Sequence, residues 1–301
     1  MNYRHIVVAF FLVGYLLVPA TSLAQATFDE SAYRRLLMEL IFNLQQQIKL
    51  LQLERNQINS TETQDYFNES DLEGFVDVLY SYEIKSPEEV SEIADGAHRK
   101  YFAEVFKIFP QEYDELIKEL VVFSEDSSDY DAFVQTLPPK HERWLFAVNE
   151  AGVSDYSSIE NTELIVHELA HIISYDEGVS LSSSKSANCE PYFKNHGCPS
   201  ASSFLRKYVD EFWSAKDLER ADDLTDSEDV FSAVDNYYEN HKDEFVSDYA
   251  ATSPEEDFSE TFMWFTLNKK VSAGTEASDK IDFFNRFSKF LELKQEINNN
   301  I

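Results

Sequence analysis

Glycine and proline are scarce in this 301-residue chain, with seven and eight residues respectively. That scarcity argues against a disordered or repeat protein. Cysteine is scarcer still: Cys189 and Cys198 are the only two, and both fall in one loop-like stretch. No second Cys or His pair has matching spacing, so a disulfide is the stronger reading for an exported chain. Closing so short a loop stabilises by about 2–3 kcal/mol at most. Basic residues are also few, 25 Lys and Arg against 56 Asp and Glu, for a net charge of −31. Such a charge excludes nucleic acid and anionic membranes as natural partners. A solvated, soluble surface accounts for it; an acidic cleft preferring basic substrates is the sharper reading, which composition cannot locate. What the chain does have is apolar bulk, 43% hydrophobic with 14% aromatic, enough for one sizeable core.

Residues 1–26 read as a secretory signal. Arg4 supplies positive charge, residues 6–20 an apolar core, and Ala24-Gln25-Ala26 an A-x-A cleavage site. The run is short for a membrane span and is interrupted by Gly14 and Pro19. A secreted or periplasmic chain with no membrane contact after cleavage is therefore expected. No cysteine near the site indicates a lipid anchor.

Within residues 27–60, Leu37, Ile41, Leu44, Ile48 and Leu51 recur in heptad rhythm. The spacing predicts a long helix there. It serves either as a coiled coil joining a homodimer through residues 30–57 or as a helix lying on the following domain. Periodicity then lapses, and 61–70 reads as a linker to a domain spanning 71–301.

Residues 71–125 look mainly helical and then extended. A helix over 97–109 carries Tyr101, Phe102, Val105, Phe106 and Phe109 on its apolar face, and Pro110 ends it. Residues 116–123 end in L-V-V-F, a buried-strand pattern, and 143–149 is the clearest strand. Further helices are expected over 203–218, from Ser253-Pro254 onward, and over 277–298. The fold class expected is α+β and mainly helical, with a small mixed sheet and a C-terminal helical subdomain.

The most informative stretch is T-E-L-I-V-H-E-L-A-H-I-I-S-Y, residues 162–175. It holds His167-Glu168-Leu169-Ala170-His171, an H-E-x-x-H pattern inside a helix that is otherwise apolar almost all round. Such a helix is buried, where two His and one Glu are costly without a partner. Residues four apart share a helix face, so both imidazoles can grip one metal ion with Glu168 beside them. Three protein ligands are needed for a catalytic zinc. A His six residues after His171 is excluded, because Glu177 stands there. An Asp in a G-T-x-x-D run is missed by one residue at Gly274-Thr275-Glu276-Ala277-Ser278-Asp279. An acid on a later helix, with a second acid one turn on, is met by Glu256 and Glu260, although Glu255 and Asp257 flank the first.

The combination of His167-Glu168-x-x-His171 with Tyr249-x6-Glu256-x3-Glu260 resembles gluzincins of the lethal-factor and Pro-Pro-endopeptidase type. The phrasing around 245–262 is similar also to a bacterial family of zinc-binding metallopeptidases. The resemblance covers residues 140–265 in pieces. It implies a zincin-like domain and one zinc ion on His167, His171 and Glu256. It also implies Glu168 as general base, Tyr249 facing the substrate carbonyl, and Glu260 orienting a ligand His. Two departures stand out: a gap of roughly 85 residues between His171 and Glu256, long for the class, and Ser259 where the family usually has Ala. The implied activity is an exported zinc endopeptidase acting on peptides or proteins. A zinc amidase of cell-wall peptides, or a non-catalytic exported interaction protein with a zinc-stabilised fold, are the competing expectations. Residues 143–149 are expected to be the edge strand along which an extended substrate lies.

Overall fold

Two nearly continuous apolar runs form the centre of a sheet. The computed structural model describes residues 76–301 apart from 125–129, 138–142, 155–157, 176–178, 181–197, 200–201 and 226–228. The expected export signal, N-terminal helix and linker lie outside these residues, as does Cys189, and with it the expected disulfide to Cys198. Strands β1 (Val78–Glu83), β2 (Ile117–Phe123), β3 (Ala132–Leu137) and β4 (Arg143–Asn149) stand in the order β1-β2-β4-β3. β2 and β4 run parallel, while β1 and β3 pair antiparallel to them on the two edges. Alternation assigns the faces of the central strands. Leu120, Val122, Trp144, Phe146 and Val148 join the main core, whereas Val121, Phe123, Leu145 and Ala147 form a smaller core on the other face. A strand buried on both faces reads as an unbroken apolar run, which is why β2 and β4 were visible in the sequence.

Ten helices accompany the sheet among the described residues: α1 (Gly96–Ile108), α2 (Gln111–Asp114), α3 (Glu150–Val153), α4 (Ile159–Ser174), α5 (Phe204–Phe212), α6 (Ala215–Thr225), α7 (Val230–Asn240), α8 (Pro254–Thr266), α9 (Glu276–Asn285) and α10 (Ser288–Asn300). The fold is α+β and mainly helical with a small mixed sheet, as expected. A two-stranded ribbon pairs β5 (Val179–Ser180) with β6 (Cys198–Pro199). Among the described residues no helix is long and apolar enough to cross a membrane.

The motif helix α4 begins at a capping serine: the Ser158 hydroxyl accepts from the Asn161 N–H at 3.0 Å. It runs through the core between sheet and C-terminal helices, with residues 165–170 all buried. Its main helical neighbour is α8, and Ile165, Leu169, Phe258 and Phe262 share one core. Beyond α8, Phe258, Phe283, Phe284 and Phe290 close an aromatic cluster, with the Phe284 and Phe290 rings 4.9 Å apart.

Expectations are corrected at five places. The single helix expected over 203–218 is two, α5 and α6, parted where Trp213 is extended. Residues 78–83 form a strand inside a stretch read as helical, and 132–137 form a strand that was not expected at all. Residues 143–149 are not an edge, because β2 and β3 flank them on both sides. The single helix over 277–298 is two, broken at Arg286 and Phe287, where Phe287 is extended. That break lets Phe283, Phe287 and Phe290 turn onto one another, with centroids 5.1 and 5.7 Å apart.

Candidate metal centre

The site lies where α4 faces the first turns of α8. His167 and Glu168 are about 5% and 4% exposed, and His171 is half-buried one turn on. Ser253 caps α8 through the Glu256 N–H at 3.2 Å, with Pro254 as its first residue. Three successive acids follow. Asp257 is fully buried on the far side, bonded to Trp213 and Lys280, which leaves Glu256 to meet the imidazoles.

Three donor atoms converge. His167 Nε2 and His171 Nε2 are 3.1 Å apart, and Glu256 Oε2 lies 3.1 Å from the first and 3.2 Å from the second. Lone pairs converging this closely repel unless a proton or cation lies among them. Donors about 2.0–2.1 Å from a tetrahedral zinc ion stand about 3.3 Å from one another, so this near-equilateral set fits the face of such a polyhedron. His167, Glu168 and His171 also have ligand atoms within 4.8 Å of one another, compatible with a metal ion. Glu256 rather than Glu168 completes the donor triangle on distance.

Glu260 sits behind the centre. Its Oε1 accepts from His167 Nδ1 at 2.8 Å, which directs the His167 Nε2 lone pair at the other donors. Its Oε2 accepts from the Ser247 hydroxyl at 2.6 Å, and Ser247 Oγ in turn accepts from the Ala250 N–H at 3.1 Å. Ser247 carries no spacing signal in the sequence, and sequence reasoning missed it.

The charges respond to this crowding. Burial would lower the His167 imidazole, but Glu256 and Glu260 outweigh it and hold it well above its ordinary value. His171 is likewise raised, with Glu256 overcoming burial. Burial pushes the Glu256 carboxyl up, yet His171 and His167 together leave it well below the usual carboxylate range. Glu168 goes the other way: burial raises it, against the pull of His171 and His167.

Among the acids of the site, Glu168 has the vacant hydrogen-bonding atom. Its Oε2 is buried and has no hydrogen-bond partner among the described residues, whereas the backbone N–H of Val134 on β3 donates to its carboxylate. A backbone donor leaves no side-chain signal, so no reading of the sequence could have found Val134. Tyr249 stands in a 3-10 turn, Tyr249–Ala251, with its ring centroid 5.7 Å from that of His167. Although 43% of the residue is exposed, desolvation around its hydroxyl leads in holding the phenol far above its ordinary value, ahead of repulsion by Glu256 and Glu168. It therefore remains a neutral hydrogen-bond donor.

The fold thus brings His167, Glu168, His171, Tyr249, Glu256 and Glu260 to one place. No protein-family model matches the chain, nor does any curated protein or solved structure.

Proposed function

We propose that the protein is an exported zinc-dependent endopeptidase with a zincin-like catalytic domain. The observation that carries this reading is the pairing of a three-donor triangle with a buried, partnerless carboxylate oxygen beside it. A structural metal site has no use for that oxygen. His167, His171 and Glu256 would hold a zinc ion, which when bound would supply Lewis acidity and lower the pKa of a water to about 7.

The chain's own groups do the rest. Glu168 accepts the proton of the attacking water at its free oxygen and delivers it to the leaving amine. Tyr249, kept protonated, donates its O–H to the developing oxyanion. Glu260 fixes the His167 tautomer, and Ser247 with the Ala250 N–H fixes Glu260. Because the Val134 N–H reaches Glu168, it points away from β4. In an antiparallel ladder the C=O of the same residue points the same way, so β3 offers the Val134 carbonyl as an acceptor for an extended substrate.

The test is a peptide-library digest by the wild type and Glu168→Gln, with zinc content measured for both. The variant is expected to retain one zinc and lose activity by about 10²–10⁴-fold. Equal cleavage by the two proteins would remove Glu168 from the mechanism. Bound zinc with no cleavage by the wild type would leave a non-catalytic metal protein, and cleavage confined to cell-wall peptides would make it an amidase.

A further inference from the structure

We propose that the buried Asp257–Lys280 pair positions the metal site, locking the rotation of α8 so that Glu256, and neither neighbouring acid, meets the imidazoles. The inference rests on the metal-site reading and assigns a role to residues that take no part in the chemistry.

Lys280 is 1% exposed and Asp257 is fully buried. The ammonium lies 2.9 Å from Asp257 Oδ2, donates to the Glu244 carbonyl at 2.8 Å, and is 4.0 Å from the Phe245 ring centroid. Trp213 Nε1–H donates to the same Asp257 oxygen at 2.9 Å, and Thr261 Oγ1–H donates to Oδ1 at 3.3 Å. Three separate parts of the chain therefore grip one carboxylate, α9, the end of α5 and α8 itself, and Lys280 ties the segment before Ser247 to the same cluster.

A buried ion pair is weak evidence of stabilisation, since apolar replacements of similar volume are often as stable or more so. Position explains this one better. Consecutive residues on an α-helix point about 100° apart. Glu255, Glu256 and Asp257 present three carboxylates at three azimuths, and a turn of that size would exchange one for another at the donor triangle. Fixing Asp257 against α5 and α9 fixes Glu256 toward α4. The Glu244 carbonyl adds a second consequence. It belongs to the segment that leads directly to Ser247 and Tyr249, so Lys280 ties the orientation of α8 to the turn that carries both.

The experiment compares zinc affinity, by competition with a chromogenic chelator, in the full chain and three variants, with the thermal midpoint of each zinc-free protein measured in parallel. Lys280→Met is expected to weaken zinc binding about 10–100-fold. Asp257→Leu combined with Lys280→Met leaves no buried charge behind. It is expected to match or exceed the zinc-free stability of the single variant while binding zinc as weakly. That split separates positioning from support of the fold. Trp213→Phe removes one donor to Asp257 and keeps the packing. Its zinc affinity is expected to fall by a smaller factor, and it decides the matter should the double variant not fold. A double variant that binds zinc as tightly as wild type overturns the inference alone, as does unchanged affinity in Trp213→Phe where that variant decides. A wild type that takes up no zinc overturns the metal-site reading and the inference with it.

Discussion

Glu256, Asp257 and Glu260 are three carboxylates within five positions of α8, and burial acts on each against different neighbours. Glu256 and Glu260 are both held below the ordinary carboxylate range, because their histidine partners outweigh desolvation. Burial pushes Asp257 up, and Lys280 with Trp213 opposes it through two donors on one oxygen. Asp114 at the end of α2 lacks such help. Its Oδ1 is buried without a hydrogen-bond partner, and burial, followed by Glu115, lifts its carboxyl to about 6. A carboxyl raised in the folded state binds its proton more tightly there than in the unfolded chain. Stability is therefore fully present below the unfolded value of about 3.9 and declines as pH rises through about 6. Asp114→Asn should accordingly be more stable than wild type at pH 7–8, by about 1 kcal/mol once solvent screening is allowed for. The gain should vanish below about pH 4, as melting curves across that range will show. A gain that persists in acid would mean the substitution works by some other route. The Glu256–Glu260 spacing was legible because both partners lie on one helix, one turn apart. Lys280 was not, since nothing local marks a lysine that crosses 23 positions to reach Asp257.

Elements were legible in proportion to how local their cause is. α4 announced itself through its apolar pattern and α8 through Ser253-Pro254, and α8 begins where that signal stands. β4 was visible as a strand but not as an interior one, because its neighbours are set by pairing across the sheet. The break between α9 and α10 has neither Gly nor Pro to mark it; aromatic packing around Phe287 imposes it. β3 was missed because A-F-V-Q-T-L is short and follows an acidic stretch of sequence, yet it is the edge that touches the site. Proline is tolerated on an edge where its missing N–H would not have entered the ladder. Val134 meets that condition, since its N–H serves Glu168 instead of β4. Val134→Pro should thus keep the helical circular dichroism and zinc content while lowering kcat/KM by about 10–100-fold, the loss of one hydrogen bond to a charged group. Unaltered kcat/KM in a folded variant would show that this donor has no part in catalysis.

At the scale of the whole molecule, a chain of net charge −31 gathers five acidic and histidine side chains around one buried point and still folds around an apolar centre. α4 and α8 would stay in contact without a metal, because Ile165, Leu169, Phe258 and Phe262 join them independently of the donor atoms. Chelation should therefore leave the helical content nearly intact and abolish activity, which zinc would restore. Stability should still fall, since a ligand that binds only the folded state adds about 4 kcal/mol at a thousand times its dissociation constant. For a domain of this size that corresponds to about 8–16 °C in Tm. Imidazoles must be neutral to hold a metal, so the Tm difference between zinc-loaded and chelated protein should be larger at pH 8 than at pH 6. Calorimetry of both forms at the two pH values measures it directly. Collapse of the helical signal on chelation would make the metal a structural element of the fold. Identical melting with and without zinc would mean the converging donors of α4 and α8 hold no ion at all.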